Sequence, residues 1–388
     1  MSRAVLFETL NTLNGKKIGI AKLNAEKTLN ALSLDMVDLL YPQLLAWSDD
    51  QSIVLVVLEA AGEKAFCAGG DLQNLYQAML EHHATDQRSD IRANQYACDF
   101  FEREYRLDYL IHSFPKPILC WAHGIVMGGG IGLMAGASHR VVTERSRLAM
   151  PEVNIGLFPD VGGSWFLSRI ADKLGLFLAL TGTPFNAADA KFVGMADYAI
   201  AHANKAAVFD ALLAQQWGTN AADNSALLNV VLSAAENGLQ QEAGPLSQHA
   251  VVIKNFLSGG NLVQIIDKIN SLSTDDAWLQ RGIAALKTAS PGSMALSYLL
   301  QQRAQQLSLA DVFRLEYVVA LHCAANPDFA EGIRARLIDK DNQPQWKPST
   351  LLEAGADWAE GFFADPWSAD AHPLADLGKV NIHSMNAV

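Results

Sequence analysis

The chain has 388 residues, of which half are apolar and 18% are charged, and its formal net charge at pH 7 is −12. A chain of this length can bury a large core in one large domain or in two smaller ones. The negative charge argues against a nucleic acid partner, because phosphates attract basic surfaces, and the absence of any apolar run of roughly 18 residues argues against a membrane-spanning helix.

The N-terminal part of the sequence predicts an α/β core. Two extended segments flank Asn14 and Gly15, a dipeptide favoured in tight turns, and they predict an opening β-hairpin. Residues 30–47 have apolar side chains at helical spacing, with Ser33 as the candidate N-cap. Residues 53–58 form an uninterrupted apolar run, which is typical of a strand buried on both faces.

Two glycine turns follow, and each leads from an extended segment into a helix. The first contains Gly69 and Gly70, and the second contains Gly128 and Gly129 after the apolar run 117–122. Glycine lets the backbone approach a ligand closely, and the first turn of a helix presents unpaired N–H groups. One N–H from each turn, aimed at the same oxygen, would form an oxyanion hole, in which one donor contributes about 3 kcal/mol. Both segments also fit ordinary strand-to-helix turns, and composition does not decide between the two interpretations.

Two carboxylates come after the second glycine turn. Glu152 and Asp160 each follow a proline and have apolar neighbours, a setting in which acids act as general acid, general base or nucleophile. A glutamate after proline is also common as the N-terminal acid of a helix, and Asp160 also fits a turn or a cap. His123 follows an apolar segment, so we expect a packed, hydrogen-bonded histidine and not a base.

The second glycine turn also fits a competing motif. Gly130, Gly132 and Ala135 match the loose G-x-G-x-x-G/A fingerprint of dinucleotide sites, with Glu152 near the required distance of about 20 residues. The βα units precede this match instead of following it, and no second mononucleotide half comes afterwards. A nicotinamide or flavin site is therefore the weaker interpretation.

Beyond residue 166 the sequence is largely helical. Apolar residues recur at helical spacing, and Ser290 before Pro291 is a candidate helix cap. Residues 219–245 are rich in Ala, Asn, Gln and Ser and predict a helical connection with loops. We therefore expect residues 1–200 to form the core with the active site and residues 201–388 to form a mainly helical C-terminal region.

The cysteines and the N-terminus bear on the compartment. Cys67, Cys98, Cys120 and Cys323 lack metal-ligand spacing and cannot form a disulfide framework for so long a chain. The N-terminus lacks a basic and then apolar signal pattern, and strand-like sequence begins almost at once. We therefore expect a reduced, cytoplasmic protein without a metal site.

Four short motifs follow one another along the chain: Asn30-Ala31-Leu32, residues 65–71, His123-Gly124 with Gly128-Gly129-Gly130, and Pro151-Glu152 with residues 156–159. Their order resembles the crotonase superfamily of acyl-CoA enzymes. Three segments, at residues 101–105, 150–163 and 331–348, are similar to its branch that hydrolyses short 3-hydroxyacyl-CoA thioesters. The similarity extends from about residue 5 to about residue 350 and is weaker between residues 204 and 270.

This resemblance implies an α/β fold built as a spiral of ββα units, followed by a helical C-terminal region. On the matching positions, the oxyanion-hole donors are Gly70 and Gly129, the catalytic acid is Glu152, and the second acid of the hydrolase branch is Asp160. The resemblance also implies that coenzyme A is part of the substrate and the product, so that no separate cofactor is expected.

The resemblance also implies how the substrate is bound. The partner is a small-molecule acyl-CoA, whose adenine and pantetheine portions would lie along residues 64–68, mostly on backbone groups. Glu104 matches a residue that contacts the acyl group, although its own charged neighbours predict an exposed helix face. Members of the superfamily commonly associate into homo-oligomers through the helical end, so self-association is implied here. The residues expected to bind substrate are Ala68, Glu104, Gly129, Glu152 and Asp160.

One departure from the superfamily pattern bears on the reaction. Hydratases of this fold carry a second glutamate two residues beyond the glycine triplet, where this chain has Gly132. Since the partner acid is missing and Asp160 supplies a carboxylate from another direction, we expect thioester hydrolysis. Glu152 would either attack the carbonyl to give a mixed anhydride or remove a proton from water. An enoyl-CoA hydratase or isomerase, and a non-catalytic acyl-CoA-binding protein, remain the alternatives.

Overall fold

The strands form two sheets in the computed structural model, which describes residues 3–236 and 242–379. The strands are β1 (Val5–Asn11), β2 (Lys17–Leu23), β3 (Ile53–Ala60), β4 (Ala65–Cys67), β5 (Ile118–Ala122), β6 (Ile125–Met127), β7 (His139–Val142), β8 (Arg147–Ala149), β9 (Phe185–Asn186) and β10 (Tyr198–Ala199). The six-stranded sheet has the order β1-β2-β3-β5-β7-β10, and the four-stranded sheet has the order β4-β6-β8-β9.

Helices cover the sheets and make up most of the chain after residue 200. Short 3-10 turns, among them Glu152–Ile155, and a π-helical turn at Arg334–Ile338 join them. The α-helices are α1 (Leu34–Asp49), α2 (Leu72–His83), α3 (Gln95–His112), α4 (Gly129–Ala135), α5 (Gly163–Ser168), α6 (Leu174–Thr181), α7 (Ala187–Phe192), α8 (Lys205–Leu213), α9 (Ala221–Glu236), α10 (Pro245–Leu257), α11 (Leu262–Asn270), α12 (Ala277–Thr288), α13 (Pro291–Ala304), α14 (Leu309–Ala325), α15 (Pro327–Ile333) and α16 (Ala356–Glu360).

Two strands and a helix form the repeating unit of the core. The units are β3, β4 and α2, then β5, β6 and α4, then β7, β8 and α5. The first strand of each unit joins the larger sheet in parallel, and the second joins the smaller sheet in parallel. The segments that lead to the helices therefore leave the same edge of the smaller sheet. The predicted α/β spiral of ββα units is confirmed.

Local sequence explains the first elements. The hairpin β1–β2 pairs Val5 with Leu23 in antiparallel register. The Ser33 side chain accepts a hydrogen bond from Met36 N and starts α1, as the N-cap prediction required. All eight residues of β3 are buried, because helices cover one face of the larger sheet and the smaller sheet and its helices cover the other.

The helical C-terminal part packs directly on the core. Phe313 of α14 contacts Tyr105 of α3 with ring centroids 5.6 Å apart, and the larger apolar cluster includes residues from both parts of the chain. Most of the predicted connection at residues 219–245 is helix α9, and residues 237–241 lie outside the described residues. Within the described ranges, no helix has the length and apolar character needed to cross a membrane. The division at residue 200 stays a prediction.

Candidate active site

The carboxyl ends of β4 and β6 bring the two glycine turns together. These strands pair in parallel, with Cys67 opposite Val126. The backbone angle φ is +108° at Gly69 and +49° at Gly128, values that L side chains rarely adopt. A Cβ atom on Gly130 would lie 2.4 Å from the carbonyl oxygen of Cys67, so glycine is needed there for α4 to approach β4.

The main-chain N–H groups of Gly70 and Gly129 lie at this junction. A Cβ atom on Gly129 would be 3.7 Å from the nitrogen of Gly70. Leu32 forms a parallel bridge with Gly70 and accepts a hydrogen bond from Asp71 N, which holds the first turn in place. Within the part of the chain that the structure describes, neither N–H donates to a main-chain acceptor. Two such donors on adjacent segments are what an oxyanion hole requires.

The two turns form one side of a buried cavity of about 90 Å³. Three aromatic side chains, Phe100, Phe101 and Phe329, also line it. The lining contains all of the residues predicted for the site from sequence, namely Ala68, Gly70, Glu104, Gly129, Glu152 and Asp160. The structure therefore brings these residues together, and their individual roles stay predictions.

Glu152 is the first residue of the 3-10 turn that follows β8. Only 5% of the residue is exposed, and its Oε1 atom would lie 2.9 Å from a Cβ atom on Gly128. Its Oε2 atom has no hydrogen-bond partner among the described residues. Burial, and then the nearby charge of Asp160, raise the pKa of Glu152 well above its usual range. Once ionised, this carboxylate is therefore a stronger base than a glutamate in water.

Asp160 lies in the turn between the 3-10 turn and α5, where Val161 has a φ of 53° and Gly162 a φ of 83°. The Tyr105 hydroxyl donates a hydrogen bond of 2.9 Å to Asp160 Oδ2. Burial raises the pKa of Asp160 to about 7, and the hydrogen bond from Tyr105 opposes that rise. Asp160 therefore ionises near neutral pH, where it can accept a proton from water or return one.

Glu104 is buried, so the exposed helix face predicted for it is wrong. Only 2% of the residue is exposed, because α1, α4 and α14 pack around α3. Glu104 Oε1 would lie 2.6 Å from a Cβ atom on Gly129, which places the carboxyl group beside one of the predicted oxyanion donors. Burial, and then the charge of Asp160, raise the pKa of Glu104 well above its usual range.

Three further polar residues around the cavity were missed at the sequence level. They are Tyr105, Asp108 and Glu316. Asp108 is fully buried, and Glu316 accepts hydrogen bonds from Gly162 N at 2.7 Å and Ser164 N at 2.8 Å. Glu316 interrupts an apolar run in α14, and Asp108 lies one helical turn after Glu104. An acid at a position that should be apolar was the available signal in both cases.

A groove of about 1090 Å³ opens beside the cavity. Two cationic residues, Arg336 and Lys340, line it, and Arg336 Nε is buried without a hydrogen-bond partner among the described residues. Of the predicted edge at residues 64–68, Ala68 lines the groove. The residues that line both the groove and the cavity are Ala68, Gly70, Leu72, Pro151 and Ile155.

His123 and the cysteines, which were also considered from the sequence, are packed in the protein core. His123 is fully buried, and its Nε2 atom lies 2.8 Å from the carbonyl oxygen of Gly62, as expected of a packed histidine. Cys67 and Cys120 are buried in the core, and burial raises their thiol pKa values. In residues 3–236 and 242–379, no group of three or more His, Cys, Asp or Glu side chains is arranged to hold a metal ion.

The fold and the site together define the class of protein. Residues 18–363 match the family model described as enoyl-CoA hydratase/isomerase. The chain belongs to this family, which confirms the resemblance to the crotonase superfamily.

Within the family, the chain is similar to 3-hydroxyisobutyryl-CoA hydrolases. It is 36% identical to the mitochondrial 3-hydroxyisobutyryl-CoA hydrolase of Danio rerio, over 93% of this chain and 89% of that protein. It is 34% identical to the protein of the same name from Homo sapiens, over 91% of this chain and 87% of the relative. The resemblance to the hydrolase branch is therefore confirmed.

Solved structures of similar sequence share the fold. A carnitinyl-CoA dehydratase from Mycobacterium thermoresistibile superposes with a TM-score of 0.79 at 34% identity, and the match covers 94% of this chain and 97% of that chain. An enoyl-CoA hydratase from Rhodobacter sphaeroides gives 0.77 at 30% identity, with 94% and 98% covered. The names attached to similar chains thus include both hydrolases and hydratases.

The names of the relatives correct the expected cellular location. The hydrolase relatives from Danio rerio and Homo sapiens are both named as mitochondrial proteins, so the prediction of a cytoplasmic location is wrong. Cysteine usage and the N-terminal pattern did not identify the compartment.

Proposed function

We propose that this chain hydrolyses a short 3-hydroxyacyl-CoA thioester, with 3-hydroxyisobutyryl-CoA as its substrate, and so acts in valine catabolism. The observation that carries the proposal is the meeting of the main-chain donors of Gly70 and Gly129 with the buried carboxyl groups of Glu152 and Asp160 at one small cavity. The names of relatives about 35% identical over most of the chain support the same reaction. The cavity of about 90 Å³ suits a short acyl group.

The thioester carbonyl binds between the N–H groups of Gly70 and Gly129. These donors stabilise the negative charge that develops on the oxygen as the tetrahedral intermediate forms. The carbon–sulfur bond then breaks, and coenzyme A leaves as a thiolate, which is a good leaving group and takes up a proton. The products are the carboxylate, the free thiol and one proton.

Glu152 and Asp160 have different roles in the attack on the carbonyl and the activation of water. Glu152 either attacks the carbonyl carbon to give a mixed anhydride or removes a proton from the attacking water. Asp160 positions or deprotonates water and accepts a hydrogen bond from the 3-hydroxyl of the substrate. The pKa of Asp160, raised to about 7, suits a group that gains and loses a proton in each turnover.

The groove beside the cavity accommodates the coenzyme A portion of the substrate. Arg336 and Lys340 offer cationic groups to its phosphates, and Arg336 Nε is a buried donor that a phosphate oxygen would satisfy. The five residues common to groove and cavity mark the passage along which the pantetheine arm reaches the acyl site.

A hydratase is the second candidate, because similar solved structures carry hydratase and dehydratase names. Gly132 argues against it, because paired-glutamate water addition needs an acid at this position. The surroundings also exclude a side chain there, since a Cβ atom on Gly132 would lie 2.7 Å from Val161 Cβ and 2.9 Å from Asp108 Oδ2. Incubation with crotonyl-CoA distinguishes the two, and we expect no hydrated product.

The direct test is thiol release from 3-hydroxyisobutyryl-CoA, followed with a thiol reagent. We expect turnover by the wild type and a loss of at least about 100-fold in kcat/KM for Glu152→Gln, because the substitution removes the base or nucleophile but keeps the shape. Glu8→Gln on the exposed edge strand β1 is the matched control and should retain full activity. Equally slow release by the wild type and Glu152→Gln would refute the proposal.

Labelled water separates the two routes open to Glu152. In a single turnover in ¹⁸O water, the anhydride route places the label on the carboxyl group of Glu152 when water attacks the acyl–enzyme on the protein side. General-base hydrolysis puts the label in the released acid and leaves Glu152 unlabelled, as does attack of water on the substrate side of an anhydride. Label in Glu152, together with an unlabelled acid in the first turnover, therefore demonstrates the anhydride route.

A further inference from the structure

A row of polar side chains on α3 faces a row of glycines on α4. Glu104, Asp108 and His112 recur every four residues on α3 and therefore share one face of the helix. A Cβ atom on Gly129 would lie 2.6 Å from Glu104 Oε1, and one on Gly132 would lie 2.9 Å from Asp108 Oδ2. A Cβ atom on Gly136, directly after α4, would lie 2.9 Å from His112 Cδ2. The missing side chains on α4 leave room for these three residues between the helices.

The two ends of this row reach different cavities. Glu104 lines the acyl cavity. His112, which is eight residues and thus about 12 Å further along the helix axis, lines a second cavity of about 240 Å³. That second cavity also includes Arg169 and Gly194, which are exposed, so it opens at the protein surface.

The middle of the row is a carboxyl group without a partner. Asp108 is 0% exposed, and neither of its oxygens has a hydrogen-bond partner among the described residues. The Nε2 atom of His112 is also buried without a partner there. Buried polar groups usually find partners, because an unsatisfied one costs about 1–3 kcal/mol, so two consecutive exceptions on one helix face call for an explanation.

Hydrolysis of a thioester supplies an explanation for these two unpartnered groups, on the condition that the proposed function is correct. Each turnover releases one proton inside a buried cavity, while the coenzyme A portion fills the groove through which solvent would otherwise enter. We propose that Glu104, Asp108 and His112 form a proton path that carries this proton from the acyl cavity to the second cavity and so to solvent.

Asp108 and His112 can both pass on a proton without keeping a charge. A neutral carboxyl group accepts a proton on one oxygen and gives up another, and a neutral imidazole does the same with its two nitrogens. Successive side chains are about 6 Å apart along the helix axis, a step that a single water molecule between them would span. Burial, followed by the charge of Glu104, raises the pKa of Asp108 well above its usual range. Burial, followed by the charge of Arg140, lowers the pKa of His112 to about 4.

The charged groups around the path keep Asp108 and His112 neutral. Asp160 and Glu316 act on Asp108 from the turn before α5 and from α14, and both disfavour a negative charge on it. Arg140 of β7 lies at the other end, where it disfavours a positive charge on His112. Neither residue therefore holds a lasting charge, as a relay through a neutral carboxyl group and a neutral imidazole requires.

Turnover by two variants tests the path. Asp108→Asn keeps the shape but cannot exchange a carboxyl proton, and His112→Ala removes the imidazole. We expect kcat for thiol release to fall roughly tenfold or more in each, with little change in KM, because proton transfer is impaired while substrate binding is not. Met195→Leu, a volume-conserving change in the second cavity, should keep wild-type kcat.

Added imidazole separates a relay from a structural role. We expect imidazole to restore much of the lost kcat of His112→Ala, whereas 1-methylimidazole, which lacks a transferable N–H, should not. Equal restoration by both compounds, or unchanged kcat in both variants, would overturn the proposal.

A measurement without substrate keeps this inference distinct from the hydrolase assignment. The infrared band of the protonated Asp108 carboxyl is the band lost in Asp108→Asn, and its shift in D₂O reports how fast its proton exchanges with solvent. We expect His112→Phe to slow this exchange by roughly tenfold or more, and saturating coenzyme A to leave it unchanged in the wild type. Exchange that is unaffected by His112→Phe refutes the path. Slower exchange in a protein that releases no thiol retains the path and refutes the hydrolase function instead.

Discussion

Asp160 is the residue whose ionisation should control the pH dependence of turnover. Burial raises its pKa to about 7, and the hydrogen bond from Tyr105 favours the charged form. We expect kcat/KM to rise with pH through about 7 and the rise to move up by roughly one unit in Tyr105→Phe, because the carboxylate loses a donor. The pH profile of thiol release by the two proteins measures this shift. A profile that moves to lower pH would contradict the proposed role of Tyr105.

Gly132 is the residue at which the hydratase pattern is lost, and the structure makes that loss hard to reverse. We expect Gly132→Ala to lower the free energy of unfolding by about 1–3 kcal/mol, because its Cβ atom would lie 2.7 Å from Val161 Cβ. Urea unfolding followed by circular dichroism measures the change. Gly361→Ala is the matched control, since a Cβ atom there meets nothing within 4 Å. Equal stability of both variants would show that position 132 has room for a side chain.

The candidate site residues that could be predicted from the sequence were those that stand in a recognisable local pattern. Gly70 and Gly129 stand in glycine turns, and Glu152 and Asp160 each follow a proline, so short patterns and a family resemblance identified them. Glu316 was not found, because the N–H group of Gly162 to which it binds lies 154 residues away. Glu104 was assigned an exposed helix face, because charged neighbours suggested it and the covering helices could not be foreseen.

Among the elements, α14 has the clearest control over the site. Its Glu316 accepts hydrogen bonds from Gly162 N and Ser164 N, so it fixes the turn that carries Asp160 and the start of α5. We expect Glu316→Gln to lose about 1–3 kcal/mol of unfolding free energy, because the new NH₂ group faces a main-chain donor, and to lower kcat for thiol release as the turn loosens. Urea unfolding and the thiol assay on the same preparations measure both effects.

The exposed variant Glu8→Gln again serves as the control for that experiment. Wild-type stability together with wild-type kcat in Glu316→Gln would mean that α14 does not hold the turn. Loss of stability without any loss of kcat would mean that the position of Asp160 does not depend on this contact.

The elements themselves were largely predictable, because their signals are local. The Asn14-Gly15 turn, the Ser33 cap and the apolar run of β3 each fixed an element of the core. The π-helical turn at Arg334–Ile338 was not predicted, since its backbone follows from contacts of α15 with the rest of the fold and not from a local pattern. The cationic side of the groove was missed for this reason.

For the whole molecule, the buried acids should make the free energy of unfolding fall as pH rises. Burial is the main cause that raises the pKa of Asp160 to about 7, of Glu316 to about 8 and of Asp328 to about 6. In the unfolded chain such groups ionise near pH 4, so the folded protein binds more protons between about pH 4 and pH 8. The free energy of unfolding should therefore fall as pH rises through this interval.

Other carboxylates limit stability at the acid end. Burial works against the charge of Glu59, but ion pairs with Lys205 and Lys22 outweigh it and lower its pKa, so its contribution is lost when it is protonated at low pH. We expect maximal stability near about pH 5, measured by urea unfolding between pH 5 and pH 9. Glu316→Gln should show a shallower dependence. Stability that increases from pH 5 to pH 8 would contradict these ionisation states.

The proposed placement of the acyl group in the cavity and of coenzyme A in the groove also dictates the order of events after the carbon–sulfur bond breaks. The two spaces share Ala68, Gly70, Leu72, Pro151 and Ile155, so the hydroxy acid formed in the inner space has the departing thiol in front of it. Coenzyme A must therefore dissociate first and the acid second. In steady-state product-inhibition experiments, we therefore expect the acid to compete with the thioester for the empty enzyme and free coenzyme A to inhibit noncompetitively.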